Sequence, residues 1–333
     1  MKKLFPLFSF AIVLMVSCAK QDQLLENDLS DEPMELANGR QCAANEVLTE
    51  QIKANPARGK FLDDLEEKTK KFRGSQYANR ANITLYVPVV VHVVKTNPTQ
   101  ITDAQIASQI AVLNQDYNKT NTELSSGSVY LAGYSVANVA NCKIEFVLKQ
   151  VIRKVTTVTA FGANDAMKKN TQGGSSPVNE TTWLNMWVCD LSSGLLGYAQ
   201  FPGGASATDG VVIDYQGFGT AAATTGYSLY SAFNKGRTAT HEVGHWFNLR
   251  HIWGDARCGN DFVSDTPQHD GSNGGCPAVG TRSKCPGKPQ EQWMNYMDYT
   301  NDACMYMFSS GQKTRMDAAI DAARASWINT TMP

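Results

Sequence analysis

The stretch His241-Glu242-Val243-Gly244-His245-Trp246-Phe247-Asn248-Leu249-Arg250-His251 decides how the chain is read, and it holds three of the five histidines. His241 and His245 stand four apart, so on a helix both imidazoles leave one face, one turn above the other. That is the geometry for two ligands on one zinc ion, with Glu242 beside them where a general base for a zinc-bound water belongs. His251 follows six residues after His245. A straight helix would carry it upward and round to another face, so the chain must turn in between. Asn248 allows that turn, because Asn is the non-glycine side chain that best tolerates the left-handed region. The competing reading is a helix with incidental surface histidines.

Working outward, the chain has 333 residues, enough for one large domain or two modest ones. Hydrophobic residues make up 42%, charged residues 18%, and the net charge is −1. With no basic runs, this composition argues against a nucleic-acid partner or a polybasic membrane patch. Residues 1–18 read as a targeting segment: Lys2 and Lys3 are the positive end, 4–16 the apolar core, and Ser17-Cys18 the processing site. The apolar run is short for a transmembrane helix. Leu14-Met15-Val16-Ser17-Cys18 resembles a bacterial lipobox, which makes Cys18 a candidate lipid anchor; ordinary signal-peptidase cleavage is the alternative. Either way the chain is exported, freely secreted or held as an outer-surface lipoprotein of a bacterium. Export permits disulfides among the eight cysteines. Four of them, Cys258, Cys276, Cys285 and Cys304, fall in a loop-rich region after the histidine motif and allow three pairings.

In chain order, residues 19–35 form a polar tether, 46–72 carry helix formers broken near Asn55-Pro56, and 74–81 a polar linker. The run 83–94 is rich in β-branched residues and reads as a buried central strand, with Pro88 at its start or at a bulge and His92 a core histidine. Thr102 caps a helix whose face is Ile106, Ile110 and Leu113. Strands follow at 142–151, 183–190 and 210–215, with a short edge strand at 195–204. The active helix spans 236–248, and a last helix runs from about 310 to 326. The alternation predicts a mixed α/β domain with a twisted sheet.

Further segments carry a resemblance. Asn295-Tyr296-Met297-Asp298-Tyr299 looks like the Met-turn of the metzincins, in the form seen in the pappalysin family. Gly-Tyr-Ala-Gln-Phe-Pro at 197–202, Val263-Ser264-Asp265-Thr266-Pro267 and Phe308-Ser309-Ser310-Gly311-Gln312 are similar to family segments in the same order. The chain resembles a pappalysin over 83–326, departing from the family at Asn248, where Gly is usual.

The resemblance implies an α+β metzincin fold. A mostly parallel sheet and the active helix form an upper part; an irregular, disulfide-stapled lower part ends in a helix. It implies a latent precursor, with a propeptide at 19–80 and a catalytic domain at 81–333. His241, His245 and His251 would bind Zn²⁺, Glu242 would be the base, Tyr299 would stabilise the oxyanion and Met297 would floor the metal. Gly197, Tyr198, Ala199 and Gln200 would pair with an extended polypeptide substrate, and Asp302 would hold a basic residue just after the cleaved bond. Family pairing joins Cys258 to Cys285 and Cys276 to Cys304. A structural Ca²⁺ would sit on Asp261, Val263, Asp265 and Thr266. Cys42 would bind the zinc in the latent form; the alternative is a disulfide to Cys142 or Cys189, which otherwise are left with each other. The expected activity is zinc endopeptidase; the rival is a non-catalytic zinc-containing protein that binds peptides along its edge strand.

Overall fold

The computed structural model describes residues 1, 39–72, 83–124, 134, 136–224 and 226–333. The targeting segment, the 19–35 tether and the 74–81 linker lie outside the described residues. Among the described residues, no helix is long and apolar enough to cross a membrane.

The valine-rich run becomes β1 (Leu85–Lys95), and all of it except Tyr86 is buried. It lies between β2 (Ile144–Val155) and β3 (Leu184–Cys189), parallel to both. A strand covered on both faces needs such an unbroken apolar sequence. Pro88 lacks an N–H to donate. It is tolerated because β3 pairs only from Val89 onward and the β1–β2 register shifts between Val89 and Val90. With β4 (Gly197–Ala199) and β5 (Val211–Asp214), the sheet order is β2-β1-β3-β5-β4. Only the short edge strand β4 runs antiparallel, against β5. The other edge strand, β2, extends four residues past its predicted end. Arg153 and Lys154 in that extension are charged, and they mask it in the sequence pattern.

Helices α3 (Asp103–Tyr117) and α4 (Arg237–Trp246) share the main core with the sheet through Ile106, Leu113, Ala239 and Val243. The Thr102 hydroxyl accepts from Gln105 N at 3.1 Å, so α3 starts at its predicted cap. Before the sheet, α1 (Ala44–Ala54) and α2 (Ala57–Lys71) are separated at Asn55-Pro56 and pack through Leu48, Leu62 and Leu65 onto Phe201. After α4 the chain is irregular, with Cys258 bonded to Cys285 and Cys276 to Cys304.

The last helix differs from its prediction. It is α-helical only over α5 (Ser310–Ala319), begun by a capping box of Ser309 and Gln312, and then widens into a π turn at Ile320–Arg324. The wider turn re-aims a side chain. Buried Arg324 donates to the Trp246 carbonyl at 2.7 Å, the Gln200 carbonyl at 3.1 Å and Asp209 at 2.8 Å. It thereby ties the end of α4 to the sheet edge.

Candidate metal centre

All ten residues of α4 are buried, and His241 and His245 leave it on one face. The helix then ends sharply. Asn248 takes φ +72°. Leu249 N donates to the Gly244 carbonyl at 2.9 Å and Asn248 N to the His245 carbonyl at 2.8 Å. This is a Schellman motif with Asn in the position glycine usually fills. It turns the chain back so that His251 returns to the other two imidazoles.

His245 Nε2 lies 3.1 Å from His241 Nε2 and 3.1 Å from His251 Nε2. For Zn–N bonds of about 2.0–2.1 Å in tetrahedral array, nitrogen separations of about 3.3 Å follow. The three donors therefore fit a zinc ion. Each Nδ1 has an acceptor: the Tyr296 carbonyl at 2.7 Å for His241, the Leu249 carbonyl at 2.8 Å for His245, and Asp255 for His251. These partners fix the tautomers that leave the Nε2 lone pairs facing one point. Burial holds His241 and His245 well below the usual imidazole range, and the neighbouring imidazoles add to it.

Glu242 is fully buried, and burial pushes its carboxyl up to about 8. It packs on Gly197, where a Cβ would meet Glu242 Oε1 at 2.9 Å and the Val212 carbonyl at 2.7 Å. Met297 is buried beneath α4, and Gly244 makes room for it: a Cβ there would lie 2.5 Å from Met297 Sδ.

The fourth side of the cluster is filled by the chain itself. Cys42 Sγ and the three imidazoles bring their donor atoms within 4.8 Å of one another. The same thiol lies 3.4 Å from Glu242 Oε2. Cys42, Cys142 and Cys189 are separately buried free thiols, so Cys42 is in no disulfide and Cys142 and Cys189 do not pair. Around Cys42, Leu196 N donates to the Gln41 carbonyl at 3.0 Å and Ala43 N to the Gly197 carbonyl at 3.1 Å, in the parallel sense. The Tyr299 hydroxyl brackets Cys42, accepting from its N–H and donating to its carbonyl, both at 3.3 Å. Arg40 enters a buried recess and pairs with Asp302 at 2.6 Å. Asp302 also accepts from Lys235 N at 2.9 Å and Arg237 N at 3.2 Å.

The remaining expected site residues are held as follows. On the edge strand only the backbone at 196–197 faces the 41–43 segment. The Tyr198 hydroxyl points inward to Asp165, Ala199 pairs with Val211 on β5, and the Gln200 amide is held by Ala205, Thr208 and Asp209. Alternation sends Tyr198 to one face of the sheet and Ala199 to the other, into the core shared with α4. Of the four residues expected around calcium, the Thr266 hydroxyl meets Asp261 at 2.8 Å and the Val263 carbonyl at 2.9 Å. Asp265 instead takes the Ser309 hydroxyl at 2.7 Å and Gly311 N at 2.8 Å, bracing the start of α5. Asp255 and the Arg40 side chain escaped the sequence reading. For Asp255 a signal existed, since it lies four residues after His251.

A family model described as pregnancy-associated plasma protein-A matches residues 171–321. An extracellular metalloprotease of Pyricularia oryzae is 32% identical over 291 residues, covering 85% of this chain and 89% of its own length. The chain belongs to the pappalysin family. It is a metalloprotease. Among solved structures, a Tannerella forsythia promirolysin mutant is 37% identical, with a TM-score of 0.75, covering 86% of this pappalysin and 96% of that chain. Mature mirolysin of Tannerella forsythia in complex with a cleaved peptide is 42% identical, with a TM-score of 0.63, covering 70% of this chain and 90% of its own.

Proposed function

We propose that this pappalysin is an exported zinc endopeptidase acting on extended polypeptides, folded as a latent precursor whose residues 19–80 are removed on activation. The observation that carries the reading is the convergence of three imidazole Nε2 atoms and the Cys42 thiol beside Glu242. Export is supported by the 1–18 segment and by relatives named extracellular metalloproteases. The promirolysin chain matches a larger share of this sequence than mature mirolysin does, which supports a precursor.

His241, His245 and His251 would hold the zinc. Bound zinc supplies Lewis acidity, bringing a coordinated water's pKa towards about 7 and polarising a carbonyl. The chain's own groups divide the remaining work. Glu242, desolvated and held on Gly197, accepts a proton from the attacking water and passes it to the leaving amine. Tyr299 presents its hydroxyl to the same space and donates to the oxygen that gains negative charge. Leu196 N–H and the Gly197 carbonyl pair with an extended backbone. Asp302, which holds Arg40 here, takes a basic side chain following the cleaved bond. Met297 supports the helix from below. In the precursor, Cys42 stands where water must bind, and removing the segment clears the site.

An intact-mass time course of the protein from Ala19 onward, beside Glu242→Ala, tests this. The wild type alone should lose a piece ending between Cys42 and Ile83. If neither protein changes, and neither cleaves casein after a trace of trypsin, the reading is wrong.

A further inference from the structure

Behind the metal centre lies a buried carboxylate with no part in the scheme above. Asp116, near the end of α3, is 2% exposed. One of its oxygens accepts the Tyr296 hydroxyl at 2.7 Å, and the other accepts the Thr240 hydroxyl at 2.8 Å. Both partners adjoin His241. Thr240 precedes it on α4, and the Tyr296 carbonyl accepts from His241 Nδ1 at 2.7 Å. The contacts close a ring: Asp116 to Tyr296, Tyr296 to the His241 imidazole, His241 through the backbone to Thr240, and Thr240 back to Asp116. Neighbouring Tyr117 adds a bond from its hydroxyl to the Thr240 carbonyl at 3.2 Å.

Elementary chemistry selects a carboxylate here. As an acceptor-only group it takes both hydroxyls as donors, one on each oxygen. An amide would turn an NH₂ towards one of them. Burying a charged group is costly and packing alone does not require it; Arg237, 3.6 Å away, supplies a counter-charge.

We propose that Asp116 is a positioning residue for the metal centre. By gripping Tyr296 and Thr240 together it fixes the rotation of the His241 imidazole, and so sets the affinity for zinc. This rests on the zinc reading above. It extends the support of a ligand one shell further out, to a residue 125 positions upstream of His241 in the sequence.

The test is zinc affinity of the full-length chain by chelator competition, with melting of each metal-free protein alongside. Asp116→Asn should weaken zinc about 10-fold, the lower end of the loss that follows removal of a ligand's direct hydrogen-bond partner, because Asp116 stands one contact further out. Tyr296→Phe should give part of that loss, and the double variant no more than the stronger single one. Asp214→Asn is the control: Asp214 is also buried, but it accepts from the backbone N–H groups of Leu191 and Gln216. It should lower the melting temperature and leave zinc affinity alone. If Asp116→Asn does not fold, Tyr296→Phe carries the test, with a several-fold loss expected. Wild-type zinc affinity in the folded Asp116 and Tyr296 variants overturns the proposal. Wild-type protein that binds no zinc overturns the zinc reading itself, a distinguishable result.

Discussion

Glu66 on α2 offers a quantitative handle on how the 39–72 segment is held. Its carboxylate forms a two-pronged pair with Arg315 on α5, one prong 2.6 Å long. The Arg315 side chain is 1% exposed and that of Glu66 12%. Arg315 also donates through Nε to the Asn248 carbonyl at 2.7 Å, so it cannot swing out to water without releasing the turn before His251. Glu66→Ala therefore strands a buried guanidinium, at a cost of about 3 kcal/mol, the lower end for a broken buried pair. At a tenfold change per 1.4 kcal/mol, the population with α2 lifted rises about 100-fold. Amide hydrogen exchange over 57–71 reads this directly. The comparison is Asp64→Ala, which breaks the Lys60–Asp64 pair on the same helix, whose side chains are 78% and 59% exposed. An exposed pair of that kind contributes under about 1 kcal/mol, so exchange should rise a few-fold at most. Equal exchange in the two variants would refute the assignment of Glu66 as the segment's anchor.

Three other outcomes follow. Gly197→Ala places a methyl 2.9 Å from Glu242 Oε1, so kcat/KM of the activated enzyme should fall about 100-fold, the scale of an ångström's misplacement of a catalytic group. Asn248→Gly should stay within about 1 kcal/mol of the parent in urea unfolding, whereas Asn248→Ala should lose about 1–2 kcal/mol because its side chain must still take φ +72°. His92, bonded to Ser175 and Asn185, is pushed down to about 4 by burial. An unfolded histidine protonates near 6.5, so between about 6.5 and 4 the unfolded state binds the extra proton. Stability should then fall by about 3 kcal/mol as pH drops through that window, and His92→Gln should flatten the slope.

What the sequence made legible was local. The helix that carries His241 and His245, the turn at Asn248, the Thr102 cap and the valine-rich strand each rest on spacings of a few residues, and all of these elements stand where they were read. The side chains that aim them were not legible. Arg40 meets Asp302 across 262 positions and Asp116 meets Tyr296 across 180, distances over which periodicity carries no information. Tyr198 and Gln200 show a further limit: motif order names residues without saying which way their side chains face, here to Asp165 and to Ala205, Thr208 and Asp209. The π turn at Ile320–Arg324 was hidden because its residues are ordinary helix formers, and only the buried carbonyls awaiting Arg324 reveal why the helix widens.

The bracket around Cys42 bears on how such a chain can change over time. The Leu196 N–H, the Gly197 carbonyl, the Tyr299 hydroxyl and Asp302 all grip the 40–43 segment, and on the proposed reading a substrate needs the same four groups. Restraint and turnover are then one inherited trait. A substitution at Asp302 that redirects selectivity also resets how firmly Arg40 is kept, and position 40 must follow. Lineages altering their diet of substrates should show paired exchanges at 40 and 302, whereas Glu66 and Arg315, clear of the cleft, are free to vary as a separate couple.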